Sequence, residues 1–140
     1  MVSRAGDLPP HVLEQLAHSA RSVQQHAYAP ASRFRVGAAV LADDGRIFSG
    51  CNVENASYGL TICAERAAVF TAVANGVRAI RAVAVVTDLV DPARPCGACR
   101  QVLAEFGPSM QVVLLGSAGS QLVTSLERLL PDPFTFHNWP

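Results

Sequence analysis

The sequence predicts an α/β fold with helices packed on both faces of a mixed sheet. Apolar residues at helical spacing, after two prolines, indicate a first helix from Pro9 to about Ala27. A hairpin follows, and then helices alternate with buried strands, an order typical of layered α/β folds. Half of the 140 residues are hydrophobic and 16% are charged. That is enough to bury one core, so we expect a single domain over residues 1–140.

The remaining elements are predicted from apolar runs that end at glycine, asparagine or proline. They are a hairpin of strands 35–41 and 46–53, a helix 63–74, a strand 80–87, a helix 97–106, a strand 110–115, a candidate strand 121–124 and a short helix 126–130. The mostly continuous apolar run at 80–87 is typical of a strand covered on both faces. If strands 80–87 and 110–115 are parallel, the helix between them completes a right-handed βαβ unit.

Charge and hydropathy exclude several classes of partner. Basic and acidic residues number 11 each, which gives a formal net charge of zero. The protein therefore has no overall positive charge that would attract a nucleic-acid backbone or an anionic membrane. No apolar run is long enough to span a bilayer, and the first seven residues lack the apolar stretch of a secretory signal. We therefore expect a cytoplasmic protein with no nucleic-acid and no membrane partner.

Two short stretches, each at the start of a predicted helix, carry candidate metal ligands. Residues 63–65 are Cys-Ala-Glu, and residues 95–99 are Pro-Cys-Gly-Ala-Cys. The positive end of a helix favours thiolate, and clustered cysteines in a reducing compartment more often bind metal than form disulfides. Cys96 and Cys99 lie about one helical turn apart, and Cys63 would supply a third thiolate. Three protein ligands with one open position are typical of catalytic zinc.

Glu65 lies two residues after Cys63, close enough to touch a metal-bound water without binding the metal. Zinc lowers the pKa of such a water towards neutrality, and a neighbouring carboxylate can accept its proton and pass it on. A Cys-x-Glu element followed by Pro-Cys-x-x-Cys is the known general pattern of zinc deaminases, which this sequence matches. Glu65 is therefore the predicted proton shuttle.

Three thiolates would give the zinc centre a net negative charge that resists deprotonation of water. A nearby cation should offset it, and Arg66 is the first candidate. Arg100, next to Cys99, is the second. Both are hypotheses from charge balance.

The alternative is a closed structural zinc site with Cys51 as the fourth ligand. Structural sites usually pair two close doublets, whereas Cys51 and Cys63 are twelve residues apart, and Glu65 would then have no role. A buried, small apolar role suits Cys51 better.

Four motifs, agreeing in order and spacing, closely resemble those of the homotetrameric zinc-dependent cytidine deaminases. They are FRVGAA at 34–39, GCNVENASY at 50–58, CAER at 63–66 and PCGACRQV at 95–102. The resemblance extends from about Tyr28 to Phe134. It implies a three-layer α/β/α fold with a five-stranded mixed sheet, a Zn²⁺ cofactor, and a homotetramer with shared active sites. The implied activity is hydrolytic deamination of cytidine and deoxycytidine to uridine and deoxyuridine in pyrimidine salvage.

The resemblance also implies roles for residues that would line the substrate pocket. Asn52 and Glu54 would bind the ribose, chiefly its 3′-hydroxyl. Phe34 would stack on the base or line its pocket, and the backbone N–H of Ala64 would meet the base carbonyl. Local sequence alone leaves open whether Asn52 and Glu54 bind substrate or only cap and solvate a loop.

Further implied roles involve other subunits. Ala56 and Tyr58 would reach a site in a neighbouring subunit, Phe134 would cover one from another subunit, and Arg66 would donate hydrogen bonds to the zinc thiolates. The sequence has Ala31 where the family usually carries tyrosine, and its end is shorter and more aromatic than usual. Phe136 is therefore an alternative to Phe134.

In the predicted mechanism, activated water attacks C4 of cytosine, and Glu65 carries a proton to N3 and then one to the departing amine. A rival within the same chemistry is deamination of a cytosine-bearing antibiotic such as blasticidin S. The stretch that contains Asn52 and Glu54 suits a ribose better than it suits such an antibiotic. Editing of cytosine in RNA or DNA needs a basic channel and a stacking surface, and zero net charge with 6% aromatic residues argues against it. A non-catalytic structural zinc module is the rival from another class.

Overall fold

The computed structural model describes residues 7–136 of the chain. Its elements, in chain order, are α1 (Pro10–Gln24), β1 (Val36–Ala42), β2 (Ile47–Cys51), α2 (Ala64–Ala74), β3 (Ile80–Thr87), α3 (Gly97–Phe106), β4 (Gln111–Leu115), β5 (Gln121–Ser125) and α4 (Leu126–Leu129). A 3₁₀ turn, Tyr58–Leu60, lies between β2 and α2. Within the described residues, no helix has both the length and the apolar character needed to span a lipid bilayer.

The five strands form one mixed sheet in the order β2-β1-β3-β4-β5. β1 pairs antiparallel with both β2 and β3, and β4 pairs antiparallel with β5. β3 and β4 are parallel, with α3 between them in the chain, as the crossover prediction requires. All but one residue of β3 is buried, because this central strand is covered on both faces.

Alternate residues of the strands face two separate cores. On one face, Ala84 and its alternate neighbours pack with Leu16 of α1. On the other, Val83 and Val85 pack with apolar residues of α2, α3 and α4, among them Leu103. The predicted three-layer α/β/α arrangement is therefore confirmed.

Two glycines let helices lie directly on the hairpin. A Cβ added at Gly37 would lie 2.0 Å from the carbonyl oxygen of Ala20 in α1, and one at Gly50 would lie 2.4 Å from the amide nitrogen of Ala68 in α2. No side chain fits at either position. The contact at Gly50 fixes α2, and hence the residues at its start, against the end of the sheet.

The first helix ends earlier than predicted, at Gln24 instead of Ala27. The chain leaves the helix because Tyr28 pairs with the segment after β2: its amide donates to the Asn52 carbonyl, and its carbonyl accepts from the Glu54 amide, both at 2.9 Å. Val53, predicted to end the second strand, instead forms isolated bridges to Tyr28 and Ile62, so β2 stops at Cys51. The 3₁₀ turn was not predicted.

Candidate active site

Three thiols meet where α2 and α3 begin. Cys63 and Cys96 are the N-cap residues of these helices, both in extended conformation, and Cys99 lies buried one turn into α3. The three sulfur atoms lie within 4.8 Å of one another, and those of Cys63 and Cys96 are 3.9 Å apart. Cys51 is on β2 and outside this group, so the four-thiolate alternative does not form.

The electrostatics of the cluster favour a thiolate at Cys63 and a thiol at Cys99. A hydrogen bond from the Cys99 thiol, with another from Arg66, lowers the pKa of Cys63 to about 5. The same hydrogen bond to Cys63, together with burial, raises the pKa of Cys99. One sulfur is therefore ionised at neutral pH before any metal binds. Three converging sulfur ligands, one already charged, suit Zn²⁺, whose binding displaces the remaining thiol protons.

Arg66 supplies a cation to this cluster. Its Nη2 donates a hydrogen bond to Cys63 Sγ at 3.3 Å, and this bond to the thiolate raises the pKa of the guanidinium. The second candidate, Arg100, points elsewhere: it donates to the carbonyl oxygens of Pro95 and Leu129, each at 2.8 Å. The contacts of the described residues therefore favour Arg66 over Arg100 as the group that offsets thiolate charge.

A cavity of about 270 Å³ adjoins the thiols. Its walls are formed by Ser32, Phe34, Val36, Asn52, Glu54, Tyr58, Thr61, Cys63, Ala64, Glu65, Val85, Thr87, Ala93, Arg94 and Cys96. Because Cys63 and Cys96 are part of this wall, a metal ion held by the thiols would border the cavity. The volume suits a small ligand rather than a polymer.

Glu65 is one of two buried acids among the described residues that line the cavity, and Glu54 is the other. Glu65 lies in the first turn of α2 and is only 4% exposed. Burial raises the pKa of its carboxyl group above that of a free glutamate. Such a carboxyl group gives up and regains a proton closer to neutral pH, which suits a general acid–base.

Asn52 and Glu54 line another part of the wall and hold the chain around Phe34. Asn52 Nδ2 donates to the Phe34 carbonyl at 2.8 Å, and Asn52 Oδ1 accepts from the Val36 amide at 2.9 Å. Glu54 is 5% exposed and accepts three hydrogen bonds from residues 31–32. A hydrogen bond from the Ser32 side chain, with two from backbone amides, lowers the pKa of Glu54. The wall therefore contains an ionised carboxylate.

The residues predicted to serve other subunits lie at the surface. Tyr58 borders the cavity of its own chain and is 59% exposed. Phe134 and Phe136 are 68% and 60% exposed, and neither they nor Ala56 line the cavity. Gln101 Nε2 holds the Phe134 carbonyl at 2.9 Å.

Sequence reasoning missed several cavity residues, notably Ser32, Thr61 and Arg94. Ser32 reaches Glu54 across 22 residues of chain, a contact that no local pattern reveals. Thr61 Oγ1 is buried and has no hydrogen-bond partner among the described residues. Arg94 directly precedes the Pro-Cys-x-x-Cys motif, and this adjacency was the one available signal for it.

Three converging thiols beside a cavity with a buried glutamic acid define a zinc site of the catalytic type. Comparison with known proteins agrees. The model of the cytidine and deoxycytidylate deaminase zinc-binding region matches residues 10–115. The chain therefore belongs to this zinc-binding deaminase family.

Individual relatives cover most of the chain. A cytidine deaminase of Sporosarcina psychrophila is 49% identical over 124 residues, which are 88% of this chain and 91% of the relative. The crystal structure of cytidine deaminase from Burkholderia pseudomallei has a TM-score of 0.84 at 50% identity, over 91% of this chain and all of that one. A blasticidin-S deaminase of Bacillus cereus is 31% identical over 112 residues, covering 74% of this chain and 79% of the relative.

Proposed function

We propose that the protein is a cytidine deaminase that converts cytidine and deoxycytidine, with water, to uridine and deoxyuridine and ammonia. The observation that carries this proposal is the cavity that joins two residues of the three-thiol cluster to the buried Glu65. The relatives named cytidine deaminase support the choice of substrate, because they are much more similar to this chain than the blasticidin-S deaminase is.

Zn²⁺ held by Cys63, Cys96 and Cys99 supplies Lewis-acid activation of the attacking water. Glu65 accepts the proton of that water and delivers it to N3 of the ring as oxygen adds at C4. Glu65 then accepts the proton of the hydroxyl group newly added at C4 and passes it to the amine, which leaves as ammonia as the C4–N bond breaks and the C4=O bond forms. Because Glu65 is buried, its carboxyl group exchanges protons with substrate rather than with bulk solvent.

The rest of the wall orients the nucleoside. Ala64 is the first residue of α2, and its backbone N–H has no partner within the helix, so it is free to meet the base carbonyl. Phe34 packs on the base. Glu54, ionised and an acceptor only, takes a hydrogen bond from the 3′-hydroxyl, and the second N–H of Asn52 is available to the same sugar.

The proposal includes a homotetramer with shared active sites. Several large apolar side chains are exposed on the single chain, which is typical of surfaces that other subunits cover. Ala56 and Tyr58 would reach a neighbouring site, and Phe134, or Phe136 in its place, would cover another. We further propose a single domain over residues 1–140 and a cytoplasmic role in pyrimidine salvage.

A substrate panel tests the proposed function against its rivals. We expect purified, zinc-loaded protein to deaminate cytidine and deoxycytidine, followed by ultraviolet absorbance, with kcat/KM in the ordinary enzymatic range of about 10⁴ M⁻¹s⁻¹ or more. Blasticidin S should react at least about 10²-fold more slowly, since it lacks the sugar hydroxyls that Glu54 would bind. Faster turnover of blasticidin S would overturn the choice of substrate. Bound zinc with no turnover of either compound would indicate a structural zinc module.

A further inference from the structure

We infer that Ser32 is a positioning residue that sets the sugar-binding part of the cavity by holding the Glu54 carboxylate with its hydroxyl group. The inference rests on the proposed function, since it assumes that a nucleoside occupies the cavity. Ser32 itself lines the cavity, two residues before Phe34. Its hydroxyl group contacts both Glu54, the residue proposed for the sugar, and the backbone amide of Phe34, the residue proposed for the base.

The hydroxyl group of Ser32 both donates and accepts a hydrogen bond. It donates its one hydrogen to Glu54 Oε2, and its oxygen accepts from the Phe34 amide at 3.0 Å. The other carboxylate oxygen, Oε1, accepts from the amides of Ala31 and Ser32 at 2.9 and 3.1 Å. Each oxygen of Glu54 thus has a separate anchor, so the carboxylate is held against rotation.

The backbone at Arg33, between Ser32 and Phe34, has a conformation that is unfavourable for a residue with a side chain. Arg33 has φ of 57°, and it is the one non-glycine residue in the described chain with positive φ. A residue with a Cβ keeps this left-handed conformation only where the surroundings impose it. The hydrogen bond from the Phe34 amide to the Ser32 hydroxyl group spans Arg33, and the same hydroxyl group is held by Glu54. The strained turn and the buried carboxylate therefore hold each other in place.

This arrangement has a consequence for substrate binding. A carboxylate binds a hydroxyl donor best when it is ionised and already aimed, because no ordering is then needed on binding. The hydrogen bond from Ser32 fixes the orientation of the Glu54 carboxylate. It also lowers the pKa of Glu54, which keeps the carboxylate ionised. Loss of the Ser32 hydroxyl group should weaken binding of nucleosides that carry a 3′-hydroxyl and spare those that lack it.

The test uses full-length zinc-loaded protein with Ser32→Ala and the hydroxyl-retaining Ser32→Thr. For Ser32→Ala we expect KM for cytidine to rise about 10-fold, the effect of a lost hydrogen bond to a charged group, with kcat within about twofold. The inhibition constant of 2′,3′-dideoxycytidine against cytidine should change less than about twofold, because that compound has no hydroxyl for Glu54. Ser32→Thr should recover most of the affinity for cytidine. Ser117→Ala, at an exposed serine between β4 and β5, is the matched control.

Equal weakening of cytidine and dideoxycytidine, or a loss confined to kcat, would show a general structural role and overturn the inference. Unchanged constants in Ser32→Ala would also overturn it. Wild-type protein that does not deaminate cytidine would instead overturn the proposed function, and the inference with it. The two failures are distinguishable, because the first requires an active wild-type enzyme.

Discussion

Glu65→Gln is expected to lower kcat for cytidine by about 10³-fold or more while zinc remains bound. The amide has nearly the same shape as the carboxyl group but cannot accept the proton of the attacking water or return it to the ring and the amine. Positioned general acid–base groups contribute about 10²–10⁴-fold each, and Glu65 serves both transfers. The side chain does not belong to the thiol cluster, so the metal ligands stay in place.

Steady-state kinetics together with zinc analysis of the same sample provide the measurement. Glu105→Gln, at an exposed glutamate on α3, is the matched control and should behave as wild type. A Glu65→Gln protein with bound zinc and a tenth or more of the wild-type kcat would remove Glu65 from the proton-transfer role.

Cys99→Ala should abolish zinc binding, and activity with it. Cys99 is completely buried in the first turn of α3, with its sulfur within 4.8 Å of the sulfurs of Cys63 and Cys96, so a surface side chain is poorly placed to replace it. Loss of a residue that merely supports a ligand typically costs 10–100-fold in metal affinity or activity, and loss of a ligand should cost more than about 100-fold. Zinc content after gel filtration and kcat/KM for cytidine measure the two effects.

Cys51→Ala is the control that separates a catalytic site from a closed structural one. Cys51 is a cysteine on the adjoining strand β2, outside the cluster, and burial raises the pKa of its thiol, which favours the neutral form. We expect this variant to keep its zinc and its activity. Equal zinc loss in Cys51→Ala and Cys99→Ala would restore the four-thiolate structural site.

Sequence patterns predicted the bounds of a helix or strand correctly where the signals for both ends lie in or next to that element. β3 and α3 have the predicted bounds, Ile80–Thr87 and Gly97–Phe106, because a continuous apolar run and a Gly-Pro stop are local signals. The three cysteines were identifiable for a similar reason: each belongs to a short motif at a helix start. Their convergence to within 4.8 Å needed the structure.

Contacts between distant segments could not be predicted in this way. The first helix stops early because Tyr28 pairs with residues beyond β2, and tertiary pairing there overrides helical propensity. Ser32 was missed because its partner, Glu54, lies 22 residues later. Charge balance ranked Arg66 first and Arg100 second, and the hydrogen bonds in the structure agree with that order, because Arg66 contacts Cys63 whereas Arg100 contacts backbone carbonyls.

Titration of metal-free protein with zinc, while ammonia release from cytidine is measured, tests the central claim most directly. The claim is that Cys63, Cys96 and Cys99 hold one catalytic zinc beside Glu65. Activity should rise from background in proportion to added zinc and reach its maximum at about one ion per chain, since there is one three-thiol cluster in the described chain. Full activity without zinc, or no ammonia release with one zinc bound per chain, would contradict the account.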